Sequence, residues 1–120
     1  MIILDSNTII YLSKELIKVD DVFNQDEDYS VSIITYMEVL GYSFDLDEEK
    51  VFIEELFSYL NIIYIDEAIA NRVIELRQNN KIKLPDAIIC ATALLNSATL
   101  ITNDIRLKNI DNLKLRIVSS

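Results

Sequence analysis

Short apolar runs alternate with helix-forming segments from one end of this chain to the other. Ile2-Ile3-Leu4 is a continuous apolar run, which indicates a strand buried on both faces. The predicted strands are 2–4, 29–33, 62–65, 99–102 and 115–118, and the predicted helices are 8–16, 35–43, 47–60, 67–79 and 85–96. Such alternation predicts the α/β class, with helices on both faces of a mainly parallel sheet in a three-layer α/β/α domain.

Three residues mark predicted helix starts. Asp47 and Asp66 precede amphipathic segments and are expected to be N-caps. Pro85 is expected in a first helical turn, where its missing N–H costs little. The segment 85–96 is apolar nearly all round, so we expect this helix to be buried.

The length and composition fit one intracellular domain. The 120 residues are enough for a single domain, 1–120, and one Gly and one Pro argue against a disordered chain. The N-terminus lacks the basic region of a signal peptide, and no apolar stretch approaches the roughly 20 residues of a membrane span. The single cysteine, Cys90, excludes an intrachain disulfide. We therefore expect a cytoplasmic protein that does not associate with a membrane.

The net charge of −9 is unfavourable for a protein that binds nucleic acid, but the charge is unevenly distributed. Residues 1–60 contain 3 Lys or Arg and 14 Asp or Glu, whereas residues 61–120 contain 8 and 6. The basic residues form two zones, one at Arg72, Arg77, Lys81 and Lys83 and the other at Arg106, Lys108, Lys114 and Arg116. These zones are either phosphate-binding surface or ordinary solvated charge.

Four acidic residues from distant parts of the chain are predicted to meet at one edge of the sheet. Asp5 ends the first predicted strand and Asp104 follows the fourth. Glu38 and Asp86 lie near the starts of two predicted helices. In parallel sheets, functional groups gather at the carboxyl ends of strands. Four carboxylates there would repel one another unless a cation neutralised them.

The available side chains restrict the chemistry of this edge. Oxygen ligands without nitrogen or sulfur favour Mg²⁺ or Mn²⁺ over zinc, and the chain has no histidine. A histidine-dependent ribonuclease mechanism and a Ser-His-Asp triad are therefore excluded. Metal-assisted hydrolysis of a phosphodiester needs only carboxylates, because the metal acidifies a bound water and stabilises charge on the phosphate.

Each acid also has a purely structural interpretation. Asp5 is suited to capping the following helix, and Thr35 with Glu38 fits a capping box. Asp86 favours a helix dipole near its N-terminus, and Asp104 is suited to a turn. A carboxylate that caps a helix can also bind a metal, so both interpretations remain open.

Three segments, taken with Glu38, carry a family resemblance. Ile2-Ile3-Leu4-Asp5-Ser6-Asn7 resembles the opening strand and Asp-Thr/Ser-Asn signature of PIN domains. Leu84-Pro85-Asp86-Ala87 resembles the Leu-Pro-Asp-Ala helix of that family, and Leu100-Ile101-Thr102-Asn103-Asp104 resembles its Leu-Val-Thr-Asn-Asp strand end. Glu38 takes the place of the family's second acid. The resemblance covers the whole chain, in the expected order.

The short single domain is most similar to the VapC branch, the toxins of type II toxin–antitoxin pairs. That resemblance implies an endoribonuclease dependent on Mg²⁺ or Mn²⁺, acting on structured RNA such as tRNA or rRNA. It implies that Asp5, Glu38, Asp86 and Asp104 are the catalytic metal ligands, supported by Ser6, Thr102 and Asn103. Ser6 and Thr102 have an alternative role in bonding local backbone. A cognate antitoxin partner is also implied.

A homodimer is implied by the same resemblance and is also expected from the sequence. Phe52, Leu56 and Phe57 offer more apolar surface than one helix face buries.

Three other functions remain open. A PIN-like module that binds RNA or protein without cleaving is disfavoured by the presence of all four acids. A response-regulator receiver needs adjacent acids after its first strand, and Asp5 has no acidic neighbour. A structural metal protein would bind Mn²⁺ and leave RNA intact.

Overall fold

The computed structural model describes residues 1–119, which form a three-layer α/β/α domain. The strands are β1 Ile2–Leu4, β2 Tyr29–Ser32, β3 Asn61–Ile63, β4 Thr99–Thr102 and β5 Lys114–Ile117. The helices are α1 Ser6–Ser13, α2 Ile33–Leu40, α3 Asp47–Phe57, α4 Glu67–Asn79 and α5 Leu84–Leu95. Two short 3₁₀ helices cover Val19–Asp21 and Ile105–Asn109. The predicted fold class is confirmed.

The sheet is parallel throughout, with the strand order β3-β2-β1-β4-β5. β1 lies at its centre and pairs with β4, so that Leu4 is aligned with Ile101. This register brings the residues that follow β1 to the same level as the end of β4. Asp5 and Thr102 consequently face each other at the carboxyl edge of two neighbouring strands.

The two faces of the sheet build separate halves of the core. Ile3 and Leu100 point to the half formed with α4 and α5, whereas Leu4 and Ile101 point to the half formed with α1 and α3. All four side chains are fully buried. Alternate side chains of one strand therefore enter opposite layers, as an α/β/α arrangement requires.

The buried helix is the best-predicted element. α5 carries Pro85 in its first turn, and its residues from Ala87 to Ala93 are all buried. Asp66 is the N-cap of α4 and accepts a hydrogen bond of 2.8 Å from the N–H of Ile69. These three predictions are confirmed because local capping and periodicity agree with the tertiary packing.

Two predicted caps are wrong. α2 begins at Ile33 because Ser32 is its N-cap and accepts from the N–H of Ile34 at 3.2 Å. Thr35 is therefore inside the helix and fully buried, and it forms no capping box with Glu38.

The second wrong cap is Asp47, which is the first helical residue of α3 rather than its N-cap. The buried Glu49 carboxylate performs the capping from inside the helix. It accepts from the N–H groups of Asp45 and Leu46, both at 3.2 Å. Asp66 caps α4 conventionally, so the difference arises from the tertiary burial of Glu49.

The apolar side chains on and just after α3 are unevenly buried. Phe52, Leu56 and Phe57 are half-buried against the core, whereas Val51 and Tyr59 are 58% and 84% exposed. Ile53 is fully buried instead. The helix also ends at Phe57 rather than at residue 60, and β3 begins one residue earlier than predicted.

No helix within residues 1–119, the part of the chain that the structure describes, is long and apolar enough to cross a membrane.

Candidate active site

Asp5 is a buried carboxylate that joins β1 to α1. It is the N-cap of α1, and its Oδ1 accepts from the N–H of Thr8 at 2.9 Å. Its Oδ2 accepts a hydrogen bond from the hydroxyl of Thr102. Burial raises the pKa of Asp5 above its ordinary value, although these hydrogen bonds lower it, and the charge of Asp104 raises it further. The capping interpretation of Asp5 is therefore correct, and the side chain also lies at the predicted edge.

Thr102 connects the ends of β1 and β4. Its hydroxyl donates to Asp5 and accepts from the backbone N–H of Asp104 at 3.1 Å. Because the hydroxyl proton points to Asp5, the remaining lone pairs are free to receive the Asp104 N–H. Thr102 is completely buried. Both contacts expected from the sequence are therefore present, one to a carboxylate and one to the local backbone.

Asp104 is bound by an arginine that the sequence assigned only to a basic zone. It caps the 3₁₀ helix Ile105–Asn109 by accepting from the N–H of Arg106 at 3.0 Å. The guanidinium of Arg106 contacts both carboxylate oxygens, through Nε at 3.0 Å and Nη2 at 2.8 Å. This pairing holds the pKa of Asp104 below its ordinary value. The spacing Asp-x-Arg was the only local signal for it.

Asp86 lies in the first turn of α5 and is half-buried. Its pKa is raised, first by burial and then by the charges of Asp104 and Asp5. Arg106 and Lys83 oppose this shift. Asp86 is thus close enough to Asp5 and Asp104 for the three negative charges to repel one another.

Glu38 reaches the site indirectly. It lies on the exposed side of α2, and its Oε1 accepts from the hydroxyl of Ser6 at 2.5 Å. Ser6 Oγ also lies 3.3 Å from Thr35 Oγ1. Ser6 directly follows Asp5, so this contact ties α2 to the corner that holds Asp5. Ser6 therefore supports Glu38 rather than the carboxylate of its neighbour.

Asn103 is half-buried between β4 and the 3₁₀ helix. Its predicted supporting role at the site stays a prediction.

The carboxylates are not arranged as a finished metal site. Within residues 1–119, no three acidic, cysteine or histidine side chains are placed to hold one ion. The carboxylate oxygens already accept hydrogen bonds from within the protein. Arg106 donates to Asp104, and Ser6 donates to one oxygen of Glu38. Thr8 and Thr102 donate to the two oxygens of Asp5. Joint coordination of one ion would need at least the Arg106 side chain to move, and that side chain is 80% exposed.

The donor chemistry nevertheless fits a hard divalent cation. Asp5, Asp86 and Asp104 offer only oxygen atoms, and the raised pKa values of Asp5 and Asp86 reflect a cost that a cation would remove. Cys90 is buried, and burial with the nearby negative charges raises the pKa of its thiol to about 12. A neutral thiol is a poor metal ligand, so the predicted choice of oxygen ligands over sulfur is retained.

Comparisons with known proteins identify the family. The family model for the PIN domain matches residues 2–113 of this chain. A comparison with curated proteins finds no match.

Several solved structures share the fold. VapBC2 from Rickettsia felis, bound to a DNA fragment from its promoter, has a TM-score of 0.84 and 23% identity, covering 99% of this chain and 100% of that chain. A toxin–antitoxin complex from Klebsiella pneumoniae has a TM-score of 0.76 and 32% identity, covering 94% and 95%. VapBC-1 from nontypeable Haemophilus influenzae has a TM-score of 0.77 and 28% identity, covering 98% of each chain.

Proposed function

This chain belongs to the PIN domain family, and we propose that it is a divalent-metal-dependent endoribonuclease, the toxin of a type II toxin–antitoxin pair. The observation that carries the proposal is that Asp5, Asp86 and Asp104 lie at one corner of the sheet, which we call the acidic corner. Thr102 links the first and the last of them, and the charges of all three interact. A histidine-free acidic corner in a PIN domain is suited to metal-assisted phosphodiester hydrolysis.

The four acids take different parts in this proposal. Asp5 and Asp86 are the most deeply placed carboxylates and would hold Mg²⁺ or Mn²⁺ from the protein side. Asp104 would join them once Arg106 has left it, and Glu38 would complete the site from α2. When bound, the ion would acidify a water and stabilise charge on the phosphate. The Thr102 hydroxyl orients the Asp5 carboxylate by donating a hydrogen bond to it, and the Ser6 hydroxyl donates in the same way to Glu38.

The partners follow from the relatives. The Klebsiella pneumoniae structure, which is 32% identical over nearly the whole chain, is a toxin–antitoxin complex. We therefore propose a cognate antitoxin as protein partner. The proposed substrate, RNA such as tRNA or rRNA, and the proposed homodimer rest on the sequence resemblance to the VapC branch. A small antitoxin gene beside the gene for this chain is expected, and its absence would argue against the toxin assignment.

The test compares amide variants of the site with a matched control. Asp5→Asn and Asp86→Asn keep the size of the side chain and one of its two acceptor oxygens but remove the charge. Asp111→Asn makes the same change at an exposed residue that is not one of the four acids. Each protein is stripped of metal, and cleavage of a tRNA pool is measured with and without Mn²⁺. We expect the parent and Asp111→Asn to cleave only with Mn²⁺, and both site variants to lose at least about 100-fold in rate.

Melting measured in the same samples separates the alternatives. Mn²⁺ should raise the melting temperature of the parent, because a ligand that binds only the folded state stabilises it. If both site variants cleave as fast as the parent and Mn²⁺ raises no melting temperature, the site is misassigned. If Mn²⁺ stabilises the parent but RNA stays intact, the chain is the non-cleaving binding module instead.

A further inference from the structure

A basic cavity of about 660 Å³ opens beside the acidic corner. It lies between the end of α4, the connection to α5 and the 3₁₀ helix that follows β4. Its charged lining residues are Arg77, Lys81, Lys83, Arg106, Asp86 and Asp104. The two acids also belong to the proposed cleavage site, so the cavity and that site are continuous.

The charge of this cavity is opposite to that of the whole protein. Four cations and two acids line it, whereas the chain as a whole has a net charge of −9. The fold joins one part of each of the two basic zones, which are separate in the sequence. A concave surface of one sign concentrates the field and attracts ligands of the other sign. An acidic protein that binds a polyanion needs such a local reversal of charge.

Three of the four cations of the cavity are available to a ligand, and Arg106 joins them when it releases Asp104. Lys81, Lys83 and Arg106 are exposed. The Nε of Arg77 donates to the carbonyl of Ile82 at 3.4 Å, which fixes the guanidinium over the connection and leaves its other N–H groups for a ligand. By contrast, Arg116 outside the cavity is engaged by the carbonyls of Asp21 and Val22.

Two of these cations also face the acidic corner. Lys83 is the N-cap residue of α5, whose first turn contains Asp86, and Arg106 lines the same cavity as Asp86. Arg106 in addition contacts Asp104 directly. A sugar–phosphate backbone that runs from the acids into the cavity would therefore meet positive charge first at Lys83 and Arg106 and then at Arg77 and Lys81.

We propose that this cavity binds the phosphates of the RNA strand next to the cleaved bond. This inference rests on the proposed ribonuclease function and adds to it the path of the substrate. A strand with one phosphate at Asp86 and Asp104 places neighbouring phosphates on both sides of these acids, and those on one side would lie in the cavity. The cavity offers that side, and Lys81 and Lys83 are the residues that carry the contact. RNA is favoured over an acidic peptide because the cavity is continuous with a site suited to phosphodiesters.

The experiment compares two double variants with equal charge change. Lys81→Gln/Lys83→Gln removes two charges from the cavity. Lys108→Gln/Lys114→Gln removes two exposed charges outside it, and Lys108 lies on the same 3₁₀ helix as Arg106. Both are made in the Asp5→Asn background with Mg²⁺ present. Binding of a labelled single-stranded RNA oligonucleotide is measured over a range of salt concentrations, and a gel checks that the strand stays intact.

The cavity pair should weaken RNA binding by about ten- to thirtyfold at 0.1 M salt. It should also reduce the slope of log affinity against log salt by about 1.4, because each phosphate contact on a single strand contributes about 0.7. The control pair should leave the slope unchanged and the affinity within about twofold of the background protein. Melting temperatures of both pairs should match that of the background, since all four lysines are exposed.

Three results would overturn the inference. Equal losses in both pairs would mean that RNA senses only the overall charge. An unchanged slope for the cavity pair would mean that Lys81 and Lys83 touch no phosphate. A poly-glutamate peptide that binds more tightly than RNA, and loses affinity in the cavity pair, would make this an acidic-peptide site. Cleavage by the parent with Mn²⁺ tests the proposed function separately, so the two failures are distinguishable.

Discussion

Arg106 holds both carboxylate oxygens of Asp104, with nitrogen–oxygen distances of 3.0 and 2.8 Å. A guanidinium in this position satisfies the same two oxygens that a divalent cation would use. The arginine is largely exposed and only two residues from its partner, so it can leave without rearranging the core. In metal-free protein it serves as an internal counter-ion for the acidic corner.

Removing this counter-ion should favour the metal. Arg106→Gln is expected to bind Mn²⁺ about two- to fivefold more tightly than the parent, because the exposed ion pair that the metal displaces is weak. Titration calorimetry on metal-free protein measures the change. Lys108→Gln removes one charge from the same 3₁₀ helix and is the control, with a smaller gain expected. Equal gains in the two variants would contradict direct competition.

Asp86→Asn should stabilise the metal-free protein at neutral pH by about 1–4 °C in melting temperature. Burial, and then repulsion by Asp104 and Asp5, raise the pKa of Asp86, so its charged form is less favourable in the folded protein than in the unfolded chain. Mn²⁺ should raise the melting temperature of the parent more than that of the variant, since the variant lacks one ligand.

The gain at Asp86 should depend on pH. Between the ordinary value of 3.8 and the raised pKa, the folded state keeps a proton that the unfolded state releases. Stability of the parent relative to Asp86→Asn therefore falls as pH rises through that window, and the difference disappears below it. Melting between pH 3 and 7 is the measurement. Asp104→Asn should show no such gain, because its pKa is lowered. A constant offset for Asp86→Asn at every pH would refute the electrostatic explanation.

Thr102→Val should destabilise the protein by about 1–3 kcal/mol, because it leaves the buried Asp5 Oδ2 without a donor and the Asp104 N–H without an acceptor. Valine nearly preserves the shape of the fully buried side chain, so the loss of stability measures the contribution of the hydroxyl group. Thr102→Ser keeps the hydroxyl and is the matched control. Urea denaturation without metal gives both values. A smaller loss for Thr102→Val than for Thr102→Ser would show that the methyl group matters more than the hydrogen bonds.

Glu49→Ala should cost about 1–3 kcal/mol, because it removes both the acceptor for the Asp45 and Leu46 N–H groups at the start of α3 and the partner of Lys14. Glu48→Ala changes the preceding exposed residue and should cost much less. Chemical denaturation compares the two variants, and RNA cleavage by both should equal that of the parent. Similar destabilisation by the two variants would mean that the buried carboxylate does not cap the helix.

The homodimer stays a prediction, and the structure changes the residues that would test it. Phe52, Leu56 and Phe57 pack partly against the core, so Val51 and Tyr59 are the large apolar side chains that α3 and its C-terminal end leave most exposed. Sedimentation of the parent at micromolar concentration should show a dimer. Val51→Lys should weaken a dimer formed through this helix, while Lys50→Gln, one residue away, should not. A monomeric parent would remove the prediction.

Local sequence patterns are enough to predict the layers, the sheet class and the positions of three acids. Apolar runs of three or four residues identified buried strands, and Asp5 and Asp104 followed two of them directly. Pro85 marked the start of the buried helix and thereby placed Asp86 in its first turn. These features depend on capping and periodicity within about four residues of one another, which a linear pattern contains.

The contacts of each carboxylate depend on long-range pairing in the folded chain. Ser6 bonds to Glu38 from 32 residues away, and Thr102 bonds to Asp5 from 97 residues away. Both contacts exist because β1 lies between β2 and β4, an order that local patterns do not specify. The same strand order brings Arg106 and Lys83 to one cavity. The sequence therefore identifies which groups are present and at which strand ends, while long-range pairing decides which charge neutralises which.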